Sequence, residues 1–261
     1  MNILVTGHKG FIGSHIYNDL KSKGYNVYGY DLGSILEDVK YDIIVHMAAR
    51  GLIRESTKHP YNYFEDGLEL SIKFLELARK NNATFVFPSS GSIADPTNPY
   101  SLGKKQSEEW IYLYNKLYNL KYYILQFYNI YGPGSRKGAV YLLTRAALGN
   151  EEGVVYGDGS HIRDYVYVDD VSNLVDNIIN SKIPCGRYEV GTGVGTSVNE
   201  LVKNIENVVG KRIKIRNEPY IVNEGERLYA ENPAVKNFRD LNYGIKKVAE
   251  FIKNDANIAK L

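Results

Sequence analysis

The stretch that most limits what this chain can fold into is "NILVTGHKGFIGSHIYNDLKSKG", residues 2–24. A short, strongly apolar run leads straight into Gly7, Gly10 and Gly13. An amphipathic pattern with Ile12, Ile16 and Leu20 on one face follows at once and is closed by Gly24. Strand, glycine turn and helix in direct succession predict a β-α unit whose next strand lies parallel to the first. The glycine spacing is G-x-x-G-x-x-G. A turn of that kind lets a pyrophosphate approach the backbone closely, and the helix start behind it offers N–H groups and the positive end of a dipole. Asp31 closes the second strand, "NVYGYD". A carboxylate there accepts hydrogen bonds from ribose hydroxyls and repels a 2′-phosphate, which favours NAD; Lys9 inside the turn leaves NADP open.

The alternation continues. "DIIVHMAA" reads as a third strand and "TFVFPSS" as a fourth. Between them lies a helix around "YNYFEDGLELSIKFLELARKNN", with Leu68, Ile72, Leu75 and Ala78 in register. A further helix is expected over about Ser101–Tyr118, followed by the strand "YYILQFYNI". This is the pattern of an α/β fold with a Rossmann-type doubly wound parallel sheet. Beyond about residue 130 the chain is richer in glycine and alternates weakly. The expected organisation is a dinucleotide-binding domain over 1–130, to which part of 164–185 returns, and a smaller, partly interleaved C-terminal substrate domain over 131–261.

Composition narrows the function classes. A net charge of +2 with no block of Lys or Arg gives no electrostatic case for nucleic acid or a membrane surface. No apolar run approaches the roughly 18 residues of a membrane span, and the N-terminal run lacks a basic region ahead of it. Cys185 is the single cysteine, so no internal disulfide forms, which fits a reducing compartment. A cytoplasmic location is the expectation. The histidines show no ligand spacing, so no metal is expected. His46, in a buried-looking strand, reads as structural or cofactor-lining.

Ser89, Ser90 and Ser92 follow the fourth strand, and ligands of a parallel sheet sit beyond the carboxyl ends of its strands. Ten residues after Ser90 comes Tyr100, and four later Lys104, on the same face of the expected helix. An ammonium beside a phenol stabilises the phenolate and lowers its pKa. A tyrosine poised in that way can take a proton from a sugar hydroxyl while hydride leaves the carbon, with Ser90 bonded to the same oxygen. In a chain with 23 tyrosines the Tyr-x-x-x-Lys spacing alone is weak. It gains force from the glycine turn and the serines.

These segments together resemble the extended short-chain dehydrogenase/reductase family, in its branch of NAD-dependent nucleotide-sugar epimerases and dehydratases, the UDP-glucose 4-epimerase type among them. "TGHKGFIGSH" is similar to the family's cofactor turn, "DIIVHMAA" to its next cofactor-lining strand, and "PSSGSIAD" with "NPYSLGKKQSEE" to its Ser and Tyr-x-x-x-Lys segments. "LQFYNIYGPGS" resembles a segment whose Asn, here Asn129, contacts the sugar nucleotide. "VVYGDGSHIRDYVYVDDV" resembles a signature whose Arg, here Arg163, approaches the diphosphate. The resemblance implies cofactor contacts at Gly7, Lys9, Gly10, Phe11, Ile12, Gly13, Asp31, Ala48, Ala49, Ser89, Tyr100 and Lys104. It implies substrate contacts at Ser90, Ser92, Tyr100, Asn129 and Arg163, with Arg227 as a second phosphate-binding candidate. Catalysis falls to Tyr100, Lys104 and Ser90. The bland reading of Arg163 is a surface ion pair with Asp164; Asp169 and Asp170 read as helix caps.

The implied activity is nucleotide-sugar 4-epimerisation through transient C4 oxidation. A reductase of nucleotide-linked 4-ketosugars is the alternative, and an NAD-binding regulatory protein without catalysis is the reading from another class. A homodimer is implied, through a bundle of the helices bearing Leu68–Ala78 and Trp110–Leu117. The chain also departs from the family. Only ten residues separate Asp31 from Asp42, where relatives fit a helix and another strand, and the lead from Ser90 to Tyr100 is short. Gln126 stands where an Arg is common and Gly67 where an Asn is common. No Asp–Glu pair follows Ser90, which argues against 4,6-dehydration, and no Cys lies near Ser92, which argues against the 3,5-epimerase/reductase type. The segment "ERLYAENPAVKNFRDLNYG" keeps the outline of the family's closing region.

Overall fold

Runs of four to seven residues that are apolar on both faces can be satisfied only inside a parallel sheet covered on both sides. In the computed structural model of the protein these runs become β1 (Asn2–Thr6), β2 (Asn26–Tyr30), β3 (Ile43–His46), β4 (Thr84–Ser90), β5 (Tyr122–Phe127) and β6 (Gly186–Val190). They form one six-stranded sheet in the order β6-β5-β4-β3-β1-β2, parallel throughout. The structure describes residues 1–94, 96–220, 225–233 and 237–255. Asp95, the last residue of "PSSGSIAD", and residues 234–236 of the closing segment lie outside the described residues.

The sheet belongs to a compact unit made of Met1–Phe127 and Val171–Val190. Its helices are α1 (Phe11–Ser22), α2 (Leu70–Asn81), α3 (Pro99–Tyr118) and α4 (Val168–Ile179), whose first turn lies at the unit's boundary. Strand alternation brings Leu4, Ile44, Phe85, Phe87 and Ile124 to one face, where α2 and α3 cover them with Leu70, Phe74, Leu75, Ala78 and Ile111. α1 and α4 are joined by Asp176, which takes the Tyr25 hydroxyl at 3.0 Å and the Lys23 ammonium at 3.3 Å. Each fully buried Phe of that face contributes roughly 1.5–3 kcal/mol of apolar transfer.

Two details of this unit set the stage for the site. Helix α3 begins two residues earlier than its hydrophobic period shows, because Asn98 caps it through the Ser101 N–H at 2.9 Å and Pro99 takes the first helical position. Ahead of α2, residues Phe64–Glu69 wind as a π-helix. The expected gap after β2 is real: residues 31–42 contain neither helix nor strand, and β2 is left as the edge of the sheet.

The second unit comprises Tyr128–Asp170 and Gly191–Leu261. The sequence reading placed these crossings at 130/131 and within 164–185; the compact units change over at 127/128, 170/171 and 190/191. Within the second unit the strand Asn129–Tyr131 pairs with Tyr165–Tyr167, and Glu152–Tyr156 with Lys214–Glu218. A small three-stranded sheet sets Ile162–Arg163 between Thr196–Ser197 and Arg227–Leu228. Three helices, Gly138–Gly149, Val198–Val209 and Leu241–Asn254, enclose a core that includes Leu143, Leu201, Ile205, Ile245 and Val248. The middle helix starts on a reciprocal capping box between Ser197 and Glu200. Among the described residues no helix is long and apolar enough to cross a membrane.

Candidate active site

The glycine turn is built as its spacing predicts, and two of its glycines are irreplaceable. Gly7 has φ +69°, and a Cβ there would lie 2.8 Å from the Ala48 nitrogen. A Cβ on Gly13 would stand 2.1 Å from the Gly7 carbonyl oxygen. Gly10 precedes α1 in extended conformation, with no side-chain cap and no acid in the first turn. The N–H groups at the start of α1 therefore keep their positive field without an internal anion. This cradle of absent side chains at a helix N-terminus fits a dinucleotide pyrophosphate. Phe11 and Ile12 form the first turn of α1; Lys9 is exposed.

Asp31 lies beside this turn, and part of its carboxylate is already engaged. Oδ2 accepts the Lys9 N–H at 2.8 Å, and the His8 ring nitrogen Nδ1 stands 3.1 Å from the same oxygen, out of line for a hydrogen bond. The His8 ring packs so closely over Gly29 that a Cβ there would come within 2.6 Å of it. His8 was not legible as a site residue, because its partner is 23 positions away. Ala48 is buried against Gly7, and Ala49 behind it is exposed.

Behind the turn, a closed hydrogen-bond line fixes β1 to β3. The Ala48 N–H donates to Thr6 Oγ1 at 3.1 Å, and Thr6 Oγ1 lies 2.8 Å from His46 Nδ1. His46 Nε2 lies 3.1 Å from Ser71 Oγ, which donates to the Gly67 carbonyl at 2.5 Å. With the Ser71 proton committed to Gly67, His46 carries its proton on Nε2, and Nδ1 accepts from Thr6. The ring is neutral and fully partnered among Phe74, Phe85 and Phe87. Burial pushes its pKa from 6.5 to about 3, with the nearby Lys104 charge adding to the shift.

Beyond the carboxyl end of β4 the catalytic candidates meet. The Ser90 hydroxyl is within hydrogen-bond reach of the Tyr100 phenol. From Ser90 Oγ the line continues to Ser92 Oγ at 3.0 Å and to Ser101 Oγ at 2.8 Å. Tyr100 is packed in on most sides yet keeps part of its surface open. Lys104, one turn further along α3, is 8% exposed; its Nζ donates to the Pro88 carbonyl at 2.6 Å and sits 4.6 Å over the Phe87 ring. Burial moves the Lys104 pKa from 10.5 to about 7, opposed by Glu108.

Three expectations change here. Lys104 does not lower the Tyr100 phenol: burial raises that pKa, the Ser90 hydrogen bond works against it, and the Lys104 ammonium is turned to the backbone of β4. Ser89 is not beside Ser90. Alternation along β4 sends its side chain to the face of Phe87, where it is 1% exposed and Oγ has no hydrogen-bond partner. Arg227 is exposed, 5.7 Å from the Tyr229 ring, and pairs with Ile162. That register puts it on the opposite face of the small sheet from Arg163, so the two do not converge.

Arg163 itself is 9% exposed, and its Nη1 donates to the carbonyls of Ile162 at 2.9 Å and Glu226 at 3.3 Å. Asp164 faces elsewhere. Its fully buried carboxylate accepts from Thr192 N and Oγ1, Gly193 N and Ala230 N at 2.6–3.2 Å, and its backbone carbonyl accepts the Asn129 N–H at 2.9 Å. The ion-pair reading of Arg163 and Asp164 is thus replaced by a carboxylate that fixes the loop at 192–193. Asp170 is no simple cap either: it holds the Arg239 N–H at 2.8 Å and its guanidinium.

Comparison with known proteins places this geometry among relatives. A sequence profile described as the NAD dependent epimerase/dehydratase family matches residues 3–191. A Methanocaldococcus jannaschii protein, provisionally named UDP-glucose 4-epimerase, is 32% identical over 97% of this chain and 99% of its own length. The alignment runs over 306 positions against a chain of 261 residues, so this chain is trimmed relative to that protein. The crystal structure of Thermotoga maritima UDP-glucose 4-epimerase with UDP-glucose superposes with a TM-score of 0.86 at 26% identity, covering 97% of this chain and 99% of that one. Thermus thermophilus UDP-glucose 4-epimerase in complex with NAD does so with a TM-score of 0.86 at 25% identity, covering 98% and 100%.

Proposed function

The chain belongs to the NAD dependent epimerase/dehydratase family, an enzyme family with NAD as its cofactor, and from that premise we propose that it is a nucleotide-sugar 4-epimerase with Tyr100 as its acid–base group. The observation that carries the reading is the Ser90–Tyr100 contact beyond β4, with Lys104 one helical turn away and the glycine cradle at the end of β1. The relatives' names point to UDP-linked sugars as the substrate class.

Bound NAD⁺ supplies a reversible hydride acceptor. The residues of the chain supply the rest. Gly7, Gly10, Gly13 and the start of α1 hold the pyrophosphate, and Asp31 takes the adenosine ribose through its carboxylate. Tyr100 removes the C4 hydroxyl proton as the sugar is oxidised and returns it after the ketosugar has presented its other face. Ser90 bonds the same oxygen and keeps the phenol oriented. Lys104 binds the nicotinamide ribose, turning from the Pro88 carbonyl to do so, and its charge then favours the phenolate. Arg163 grips the diphosphate and Asn129 contacts the nucleotide sugar; the planar guanidinium suits that task. The second unit is thus read as the substrate domain. A homodimer is part of the proposal, through the exposed Trp110, Leu113 and Leu117 of α3.

The test is release and mass analysis of the cofactor bound to the purified protein, followed by turnover on UDP-, dTDP- and GDP-sugars without added nucleotide. Interconversion of C4 epimers supports the reading. A protein that only consumes NADH or NADPH with a 4-keto-6-deoxy sugar is a reductase instead. Tyr100→Phe is expected to lower kcat by about 10²–10⁴-fold with NAD retained.

A further inference from the structure

Lys104 lies within a buried polar group that reaches well beyond Tyr100. Helix α3 carries Tyr100, Lys104, Glu108 and Tyr112 on successive turns. Glu108 is 5% exposed. Its Oε2 accepts from Arg187 Nε on β6 at 3.1 Å, and its Oε1 is buried without a hydrogen-bond partner. The sheet register sets Ser89 beside Gln126, Gln126 beside Glu189, and Ile124 beside Arg187. Phe87, Ser89, Gln126, Arg187 and Glu189 therefore share the face that α3 covers, and the polar atoms Ser89 Oγ and Gln126 Oε1 are also buried without partners.

A carboxylate in such a place is costly unless its charge is compensated, and one guanidinium contact satisfies only half of it. Gln126 occupies the position where the resembled family commonly has an Arg, so the compensating cation has moved one strand outward, to Arg187. The carboxylate has kept its place, one turn from Lys104. Burying a charge and importing an arginine from the edge strand would be a poor exchange for packing alone, since an apolar residue fills the same space at lower cost.

We propose that Glu108, gripped by Arg187, is a positioning residue for Lys104: its carboxylate holds the lysine in the ammonium form and in place beside Tyr100 at neutral pH. The inference rests on the epimerase reading for its catalytic consequence, though not for its electrostatics. The groups facing this cluster are Tyr100 and Tyr112 from α3, Arg187 and Glu189 from β6, and the neutral His46 from β3. Of these, Glu108 is the one that opposes the effect of burial on Lys104. Removing its charge lets burial win, and Lys104 loses its proton in the range where the enzyme works.

The experiment uses the full chain with its bound NAD. NMR of lysine labelled with ¹³C and ¹⁵N follows the Lys104 titration, with Lys104→Met identifying the signal. In Glu108→Gln the Lys104 midpoint is expected to fall by about one unit, which leaves about tenfold less ammonium above the midpoint. The kcat for epimerisation should then drop about tenfold at pH 8 and recover toward pH 6, whereas damaged packing would depress it equally at every pH. Arg187→Lys should keep most of the wild-type profile. If Glu108→Gln does not fold, Glu108→Asp takes its place: the charge is kept but withdrawn by one methylene, and a smaller fall is expected. A Lys104 midpoint unmoved in the folded variant, or a pH-independent loss of kcat, overturns the proposal. Failure of the wild type to epimerise any sugar nucleotide sinks the epimerase reading instead and leaves the titration to judge Glu108.

Discussion

Acid sensitivity of this fold should be traceable to one ring, that of His46. The unfolded chain takes up a proton on this histidine near 6.5, while the folded chain resists it until about 3. The folded pKa is the lower one, so His46 contributes stability that is fully present above 6.5 and is lost as pH falls through that window. At pH 5 the loss is about 1.5 units, or about 2 kcal/mol. A loss of that size matters against the roughly 5–15 kcal/mol that holds an ordinary domain together. The structural cause is that both ring nitrogens are spent, Nδ1 on Thr6 and Nε2 on Ser71, with phenylalanines on the remaining sides. An imidazolium would have to place a second N–H against the Thr6 hydroxyl, whose oxygen already accepts from Ala48. His46→Gln keeps a donor for Ser71 and does not titrate. Urea unfolding of both proteins at pH 7.5 and pH 5.0, with saturating NAD, gives the comparison. The wild type should lose about 2 kcal/mol more than the variant between the two conditions, since the carboxylates common to both cancel. Equal losses, or a His46 ring signal that titrates near 6.5 in the folded protein, would refute the argument.

Two further outcomes follow from close contacts. Gly13→Ala drives a methyl group to 2.1 Å from the Gly7 carbonyl and should abolish NAD retention, measured as nucleotide released from the purified protein. Asp164→Ala strips the acceptor from Thr192, Gly193 and Ala230 and should cost on the order of 3–5 kcal/mol in urea unfolding, with NAD content changed far less than by the glycine substitution.

What the sequence disclosed was what local pattern and backbone need can encode. The strand–turn–helix at the start is written in apolar runs and in glycines whose Cβ has nowhere to go. The Tyr100–Lys104 spacing is written in the helical period. The partners of those side chains are not. Which carbonyl receives Lys104 is set by the register of β4, and whether Ser89 or Ser90 meets Tyr100 by strand parity at one particular residue. Arg227 looked like a second phosphate ligand because its type and region suited the task, yet register turned it to the other face. His8 with Asp31, Glu108 with Arg187, and Asp164 with the loop at 192–193 join residues 23 to 79 positions apart or pair a side chain with backbone, and no short motif marks such meetings. The π-helical turn at Phe64–Glu69 is likewise invisible in composition.

The placement of β6 carries a cost that arises before the enzyme exists. Its residues, 186–190, follow β5 by roughly 60 positions, and the chain builds most of another unit before returning to pair with it. At translation speeds of about 5–20 residues per second, the outer edge of β5 stays without its neighbour for several seconds on the ribosome. An open strand as apolar as "YYILQF" invites pairing with other chains during that interval. Order of synthesis, more than the finished sheet, then decides where this protein is vulnerable to aggregation: fragments released before residue 190 would lack the strand that seals it.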